Sequence, residues 1–430
     1  MTITPVSPRL DHPPDTSGID LDVLRWDDPE MWIGLDREAV FATMRADRNV
    51  LWCEEPEIPG FGKGPGFWSL SRHADVMEVS RNPQRFISGQ GTNIPDMPLE
   101  IAEFFGSMIN MDAPRHTRLR MIVNRAFTPR QVARIDTDVQ RKAEAIVDAV
   151  AARGECDFVT EIAARLPLEV ICEMMGVPPS QYQRMFELTN TILGAGDPEY
   201  TPDFLALMNA AVELSQMAQE LGRDRLENPT DDLTSALMHA EVEGEDGTVQ
   251  RLSTDELGSF FILLAAAGNE TTRNAISHGM YALSTHPDQR RHLTDDFETV
   301  IPTAVEEIVR WATPVIHFRR TATEDCELSG QSIKAGDKVV MWFNSADRDE
   351  AVFDDPYRFD VARTPNDHVG FGAGGPHFCL GANLARREIT VMFRELFRRL
   401  PDIEITGEPD YLQSIFIHGI KRMPCAFTPR

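Results

Sequence analysis

The sequence predicts a mainly α-helical protein with small β sheets, and three observations carry that prediction. From Pro114 onward apolar residues recur at helical spacing for about two hundred residues, interrupted at Gly154, Gly176-Val177-Pro178-Pro179 and Gly194-Ala195-Gly196-Asp197-Pro198. Two shorter zones, roughly Pro29 to Phe86 and Thr313 to Phe343, hold strand-like pieces such as GFWSLS and the turn sequence ELSGQSIKAGD. Finally, Leu380 to Leu400 places Leu384, Ile389, Met392, Phe393, Leu396 and Leu400 on one broad apolar stripe, the pattern of a helix lying on a core.

In chain order, residues 1–20 are rich in Pro, Ser and Asp and are expected to form a flexible N-terminal arm. That start lacks a basic segment followed by an apolar run, and the longest apolar stretch, Phe260 to Ala267, is too short to span a bilayer. The reading is therefore a protein neither exported nor membrane-spanning. Six cysteines, Cys53, Cys156, Cys172, Cys326, Cys379 and Cys425, show no C-x-x-C pair and no regular spacing, which points away from zinc sites and disulfide frameworks and toward a reducing cytoplasm. A formal charge of -26 excludes non-specific binding to nucleic acid, which needs a surplus of Lys and Arg. With 42% hydrophobic and 26% charged residues over 430 positions, the chain can bury a large core.

One cysteine stands apart. Cys379 lies in VGFGAGGPHFCLGANLARRE, where a glycine-rich loop runs into the last long helix. Glycines let a backbone approach a flat partner closely, and a helix N-terminus favours thiolate over thiol; such a thiolate suits iron. An isolated cysteine in a Gly-rich turn is more often structural, so its neighbourhood decides the matter. FGAGGPHFCLG resembles the haem-binding loop of the cytochrome P450 family. In this sequence Phe371 stands eight positions before Cys379, one more than the family's usual spacing, while His377, Cys379 and Gly381 keep theirs.

Three more segments resemble the family in the same order along the chain. The run FFILLAAAGNETTRNAISHG contains the acid–alcohol pair Glu270-Thr271; Gly268 and two threonines lower helix propensity there, so a local opening in the helix is expected. Polar residues in a core helix are usually only that, but A-G-N-E-T-T resembles the family's oxygen-activation motif. Glu307 and Arg310 stand at i, i+3, a spacing that recurs at Glu78-Arg81, Glu220-Arg223 and Glu395-Arg398, mostly as solvated helix faces. Only the pair at 307 is followed by Pro356-Tyr357-Arg358-Phe359, so the resemblance assigns Glu307, Arg310 and Arg358 a structural bracing role. His116 and Arg120 in DAPRHTRLR share a helix face and can grip one anion.

The resemblance implies the cytochrome P450 fold, a helical prism with haem between the long central helix and the cysteine-loop helix, and reads 21–430 as a single catalytic domain. It implies haem b with the Cys379 thiolate as axial ligand, with His116, Arg120, Arg320 and His377 toward the propionates and Ala267 against the haem. Glu270 and Thr271 would deliver protons to dioxygen. Electrons derived from NAD(P)H would arrive through a ferredoxin and ferredoxin reductase, and Arg386, Arg387, Arg394, Arg398 and Arg399 are expected to form a basic docking patch.

Several stretches, among them ICEMMGVP, TAVEEIVRWATPV and FIHGIK, are similar to the actinobacterial, especially mycobacterial, methyl-branched lipid omega-hydroxylases. That likeness implies hydroxylation of the terminal carbon of a branched fatty acid, isoprenoid or sterol side chain. A cholesterol side-chain oxidase acting at the terminal carbon is the neighbouring reading. A non-catalytic haem or lipid-binding protein is the reading of a different class, and it would have little use for a proton-delivery pair. Terminal attack needs a narrow apolar funnel, and Ile94, Val315, Ile316, Phe416 and Ile417 are its candidate wall; ordinary core packing accounts for the same residue types equally well.

Overall fold

The computed structural model describes residues 12–25, 36–55, 57–58, 62–126, 129–243 and 248–430. Its contacts divide the chain into two compact units. The first comprises Met1–Met97, Asn274–Arg386 and Glu404–Cys425; the second comprises Pro98–Arg273, Arg387–Ile403 and Ala426–Arg430.

In the first unit the two strand-like zones of the sequence meet in one sheet. Its strands are β1 (Val50–Cys53), β2 (Phe67–Leu70), β3 (Phe86–Ile87), β4 (His317–Ala322) and β5 (Lys338–Trp342), in the spatial order β1-β2-β5-β4-β3. Central β5 is flanked by β2 and β4 and buried along its length, which is why KVVMW reads as a nearly continuous apolar run. The turn sequence ELSGQSIKAGD closes the hairpin of Cys326–Leu328 with Gln331–Ile333, and Ser329 and Gly330 supply the two positive φ angles, 44° and 82°, that such a two-residue turn needs. Of the expected arm, residues 1–11 lie outside the described residues. Pro14 is buried, and Ile19 packs with Leu21 on a cluster holding Phe41, Phe67 and Trp342.

Helices make up most of the second unit. Arg165–Met175 ends where Gly176 takes φ 79°, its N–H and that of Val177 closing on the carbonyls of Glu173 and Cys172. Helix Phe204–Glu227 begins at Asp203, whose carboxylate accepts the Ala206 N–H at 2.8 Å. The first end falls where the sequence placed a break, and the second helix starts beyond the break at Gly194 to Pro198.

Two helices carry the residues of interest. Thr254–Thr285 runs unbroken for 32 residues, so the local opening expected around Gly268 is absent as a break. Buried packing of its apolar residues outweighs the summed propensity cost of Gly268 and the two threonines, about 2 kcal/mol. The other, Ala382–Arg399, buries Ile389, Met392, Phe393 and Leu396 completely; truncating Phe393 to Ala would cost about 3–5 kcal/mol. No helix among the described residues is long and apolar enough to cross a membrane.

Candidate functional site

In the first unit, Cys379 closes a loop whose shape the glycines permit. Gly372, Gly374 and Gly375 take φ angles of 94°, 83° and 76°. At Gly375 a Cβ would stand 2.2 Å from the Ser80 carbonyl, so only glycine allows that approach. Ser80 Oγ donates to the Gly374 carbonyl at 2.9 Å, and the Cys379 N–H donates to the Phe371 carbonyl at 3.0 Å. The cysteine is partly exposed and not in a disulfide, Phe378 beside it is 40% exposed, and the space over Gly381 is open. A thiol left accessible on a rigid, glycine-lined ledge ahead of a helix fits a flat metal-bearing group such as haem.

The extra loop residue leaves Phe371 firmly packed. Arg386 lies over its ring at 4.4 Å and is held by Glu306, with Nε–Oε1 at 2.6 Å. His368 takes its N–H from Gly370 on Nδ1 and donates from Nε2 to Glu306 at 3.0 Å. Burial pushes the Glu306 carboxyl up, but the hydrogen bonds and charges of His368 and Arg386 outweigh it and hold the group at about 2.

Behind the loop, Glu307 and Arg310 are fully buried and pair through two contacts of 2.7 Å. Arg310 also donates to the carbonyls of Asp347, Pro356 and Arg358. Burial pushes Glu307 up, and the charges of Arg310 and Arg363 pull it below its ordinary value. The expected third member needs correcting. Arg358 is exposed and joins through its main-chain carbonyl, whereas Arg363 brings its guanidinium to Glu307 at 3.1 Å. Asn366 and the Asp360 N–H complete the shell around the same carboxylate. The chain's tight course from Asp354 to Arg363 explains the exchange, because it turns Arg358 outward and folds Arg363 back onto the carbonyls of Asp354, Asp355 and Arg358.

Arg319 and Arg320, neighbours on β4, separate cleanly. Arg319 is committed to the segment before Leu99, donating to the carbonyls of Gln90, Asn93 and Ile94 and pairing with Asp96 at 2.8 Å. Arg320, 5% exposed and opposite Val339 in register, donates to the Arg319 carbonyl at 2.8 Å. His377 meets the Ser88 hydroxyl at 3.1 Å.

The candidate wall residues lie in this unit. Val315 bridges to Ile417, and the Ile316 N–H donates to the Phe416 carbonyl at 2.8 Å, so the two segments are brought together. Ile94 and Ile316 sit in one buried cluster with Phe67 and Trp342, and Ile417 is 2% exposed; Val315 and Phe416 keep accessible surface.

In the second unit the helix around Glu270 presents a narrow accessible strip. Ala267 is exposed and Thr271, one turn on, is partly so, while Asn269, Glu270, Thr272 and Arg273 are buried. The Thr271 hydroxyl donates to the Ala267 carbonyl at 2.6 Å. Glu270 is paired with Arg273, which reaches Asn190 Oδ1 at 2.8 Å, and Asn269 donates to Thr189 at 3.3 Å. Arg273 and Asn190 were not singled out in the sequence, although Glu270-x-x-Arg273 repeats the Glu-x-x-Arg spacing. His116 is buried and Arg120 partly buried in helix Arg115–Ala126 of the same unit.

The expected basic patch is largely offset. Arg386 pairs with Glu306; in the second unit Arg387 pairs with Asp136 at 2.6 Å, and Arg398 and Arg399 both bind Glu395. Charge counted along a helix ignores carboxylates that folding brings beside it.

The Cytochrome P450 family model matches residues 199–401. A methyl-branched lipid omega-hydroxylase of Mycobacterium tuberculosis is 52% identical over 395 residues, covering 91% of each chain. A steroid C26-monooxygenase of Mycolicibacterium smegmatis is 41% identical over 392 residues, 90% of each chain. Among solved structures, a Mycobacterium marinum cytochrome P450 in complex with pseudoionone is 43% identical with a TM-score of 0.87, covering 96% of this chain and 100% of that one.

Proposed function

The chain belongs to the cytochrome P450 family and is a monooxygenase, and from that premise we propose that it hydroxylates the terminal carbon of a methyl-branched lipid, a fatty acid or isoprenoid. The observation that carries the substrate class is the 52% identity to a methyl-branched lipid omega-hydroxylase across 91% of both chains. A sterol side chain attacked at its terminal carbon is the second reading, supported by the 41% identity to steroid C26-monooxygenases.

The fold implies haem with a cysteine thiolate ligand. In the proposal Cys379 would hold the iron, His377, Arg320, His116 and Arg120 would hold the propionates, and Ala267 would face the haem. When bound, the haem supplies dioxygen activation, which a thiolate ligand favours by donating electron density. The chain's own part is proton handling and positioning. Thr271 offers its hydroxyl at the accessible strip. Glu270 holds its carboxylate one residue away, on the buried side, against Arg273. A proton passing from Glu270 to Thr271 requires that pair to open, which meters proton entry to the site. Val315 and Phe416 offer apolar surface to the substrate. Electrons from NAD(P)H are proposed to arrive through a ferredoxin and its reductase, in a reducing cytoplasm that suits six free cysteines.

The test is an absorbance titration of the ferric holoprotein with branched fatty acids, straight-chain acids and cholesterol. A saturable shift of the haem band, tightest with a branched acid, is expected. A tighter response to cholesterol selects the sterol reading, and a band that no lipid moves discards the lipid substrate.

A further inference from the structure

The segment Ser414–His418 carries Phe416 and Ile417, and neutral imidazoles hold it on both sides. His317 Nδ1 donates to the Ile415 carbonyl at 3.1 Å, and His278 Nε2 donates to the His418 carbonyl at 3.0 Å. His418 Nδ1 donates to the Ala312 carbonyl at 2.6 Å, just ahead of Val315. A carbonyl only accepts, so each of these nitrogens carries the proton. Ser414 Oγ takes the N–H groups of Phe416 and Ile417 at 3.1 and 3.0 Å, and the His418 N–H reaches the Pro314 carbonyl at 2.9 Å.

The rings themselves are fixed. His278 and His418 lie 4.1 Å apart with their planes tilted by 39°, and Tyr411 stacks on His278 at 6.2 Å, while His317 packs on Trp342 at 5.0 Å and on Phe416 at 5.6 Å. An imidazole is a poor choice for filling a core, since burying a polar ring is unfavourable unless it makes a hydrogen bond. Two of them aimed at one turn, and a third reaching from that turn to the helix end at Ala312, point to a need for donors at fixed places.

We propose that His317, His278 and His418 are positioning residues for terminal hydroxylation: as rigid main-chain donors they set the depth of the Ser414–His418 turn, and through Phe416 and Ile417 they set which substrate carbon is presented. This inference rests on the terminal-hydroxylation reading above. Burial keeps His278 and His317 down at about 4, so both donors stay neutral across the working pH range.

The experiment compares the holoprotein with His317→Leu and His418→Leu, which fill the space without donating, and with His317→Asn and His418→Asn, whose amide nitrogen substitutes for Nδ1. Two quantities are read: amide hydrogen-exchange protection of Ile316 to His317 and Phe416 to His418, and the ratio of terminal to subterminal alcohols from a branched acid. Each Leu variant is expected to lose protection and to raise the subterminal share about fivefold, the size of one neutral hydrogen bond; the Asn variants restore both. Unchanged protection in the Leu variants overturns the clamp whatever the substrate. Lost protection with an unchanged product ratio overturns its role in selectivity. If the parent protein itself makes no terminal alcohol, the function reading fails and the exchange arm alone decides the clamp.

Discussion

Two buried Glu-x-x-Arg pairs sit in different surroundings in this molecule. Glu307 and Arg310, in the first unit, are enclosed by partners from several chain segments: Arg363, Asn366 and the Asp360 N–H on the acid, and three carbonyls on the base. Glu270 and Arg273, in the second, share the spacing and the burial but adjoin the accessible strip of Ala267 and Thr271. Saturation on every side makes an ion pair a brace, because any change leaves a buried group without its partner. A pair beside an accessible hydroxyl can open and move a proton. The sequence spacing is the same; the surroundings differ, and with them the role proposed for each pair.

The comparison can be broken most forcefully at the brace. Arg310→Ala is expected to lower stability by about 3–5 kcal/mol, by stranding the Glu307 carboxylate, and to abolish haem retention; denaturant unfolding and the haem band measure both. Intact haem binding in that variant would deny the brace.

Acid is expected to weaken the first unit next. His278 and His317 are held by burial at about 4 against an ordinary 6.5, with Arg37, Arg348 and His418 also facing His278. The unfolded chain therefore binds their protons first as pH falls. Stability is full above about pH 6.5, declines between pH 6.5 and 4 by at most about 3 kcal/mol per histidine, and loses nothing further from them below that. Glu306, held at about 2, adds its own loss only below its ordinary 4.5. Denaturant midpoints at pH 7.5, 5.5 and 4.5 read the slope, which His317→Asn should flatten.

Thr271→Ala probes the other pair. Turnover is expected to fall about a hundredfold, as for loss of a proton-transfer group, while the haem band and unfolding midpoint stay near the parent's. A large stability loss with little kinetic effect would make this helix a second brace.

The smallest effect separates two arginines. Arg363→Ala is expected to cost about 1–3 kcal/mol and Arg358→Ala within about 0.5 kcal/mol, measured by the same unfolding. Equal losses would contradict the assignment of Arg363 to Glu307.

Much of this was legible in the sequence, for reasons that can be named. The loop before Cys379 was readable because glycines needed for positive φ and close approach cluster there, while the cysteine's proposed role rested on the loop's resemblance to that of the family. The stripe from Ile389 to Leu396 was readable because helical spacing alone decides which face is buried. Arg363 was not, since reaching Glu307 depends on how the intervening turns fold; Arg358 in its Pro-x-Arg-Phe setting was the more visible choice. Arg273 could have been found, as it stands three residues after Glu270. The offset of the arginine patch by Glu306 and Asp136 was invisible because both acids lie far away in the chain, whereas Glu395 stood at pairing distance from Arg398 in the sequence.

The most direct test of the account is the absorbance of the reduced, carbon monoxide-bound holoprotein, compared between the parent and Cys379→Ser. The account predicts the thiolate-type band in the parent and its loss, together with turnover, in a Cys379→Ser protein that still folds. A thiolate-type band that survives in Cys379→Ser would contradict it.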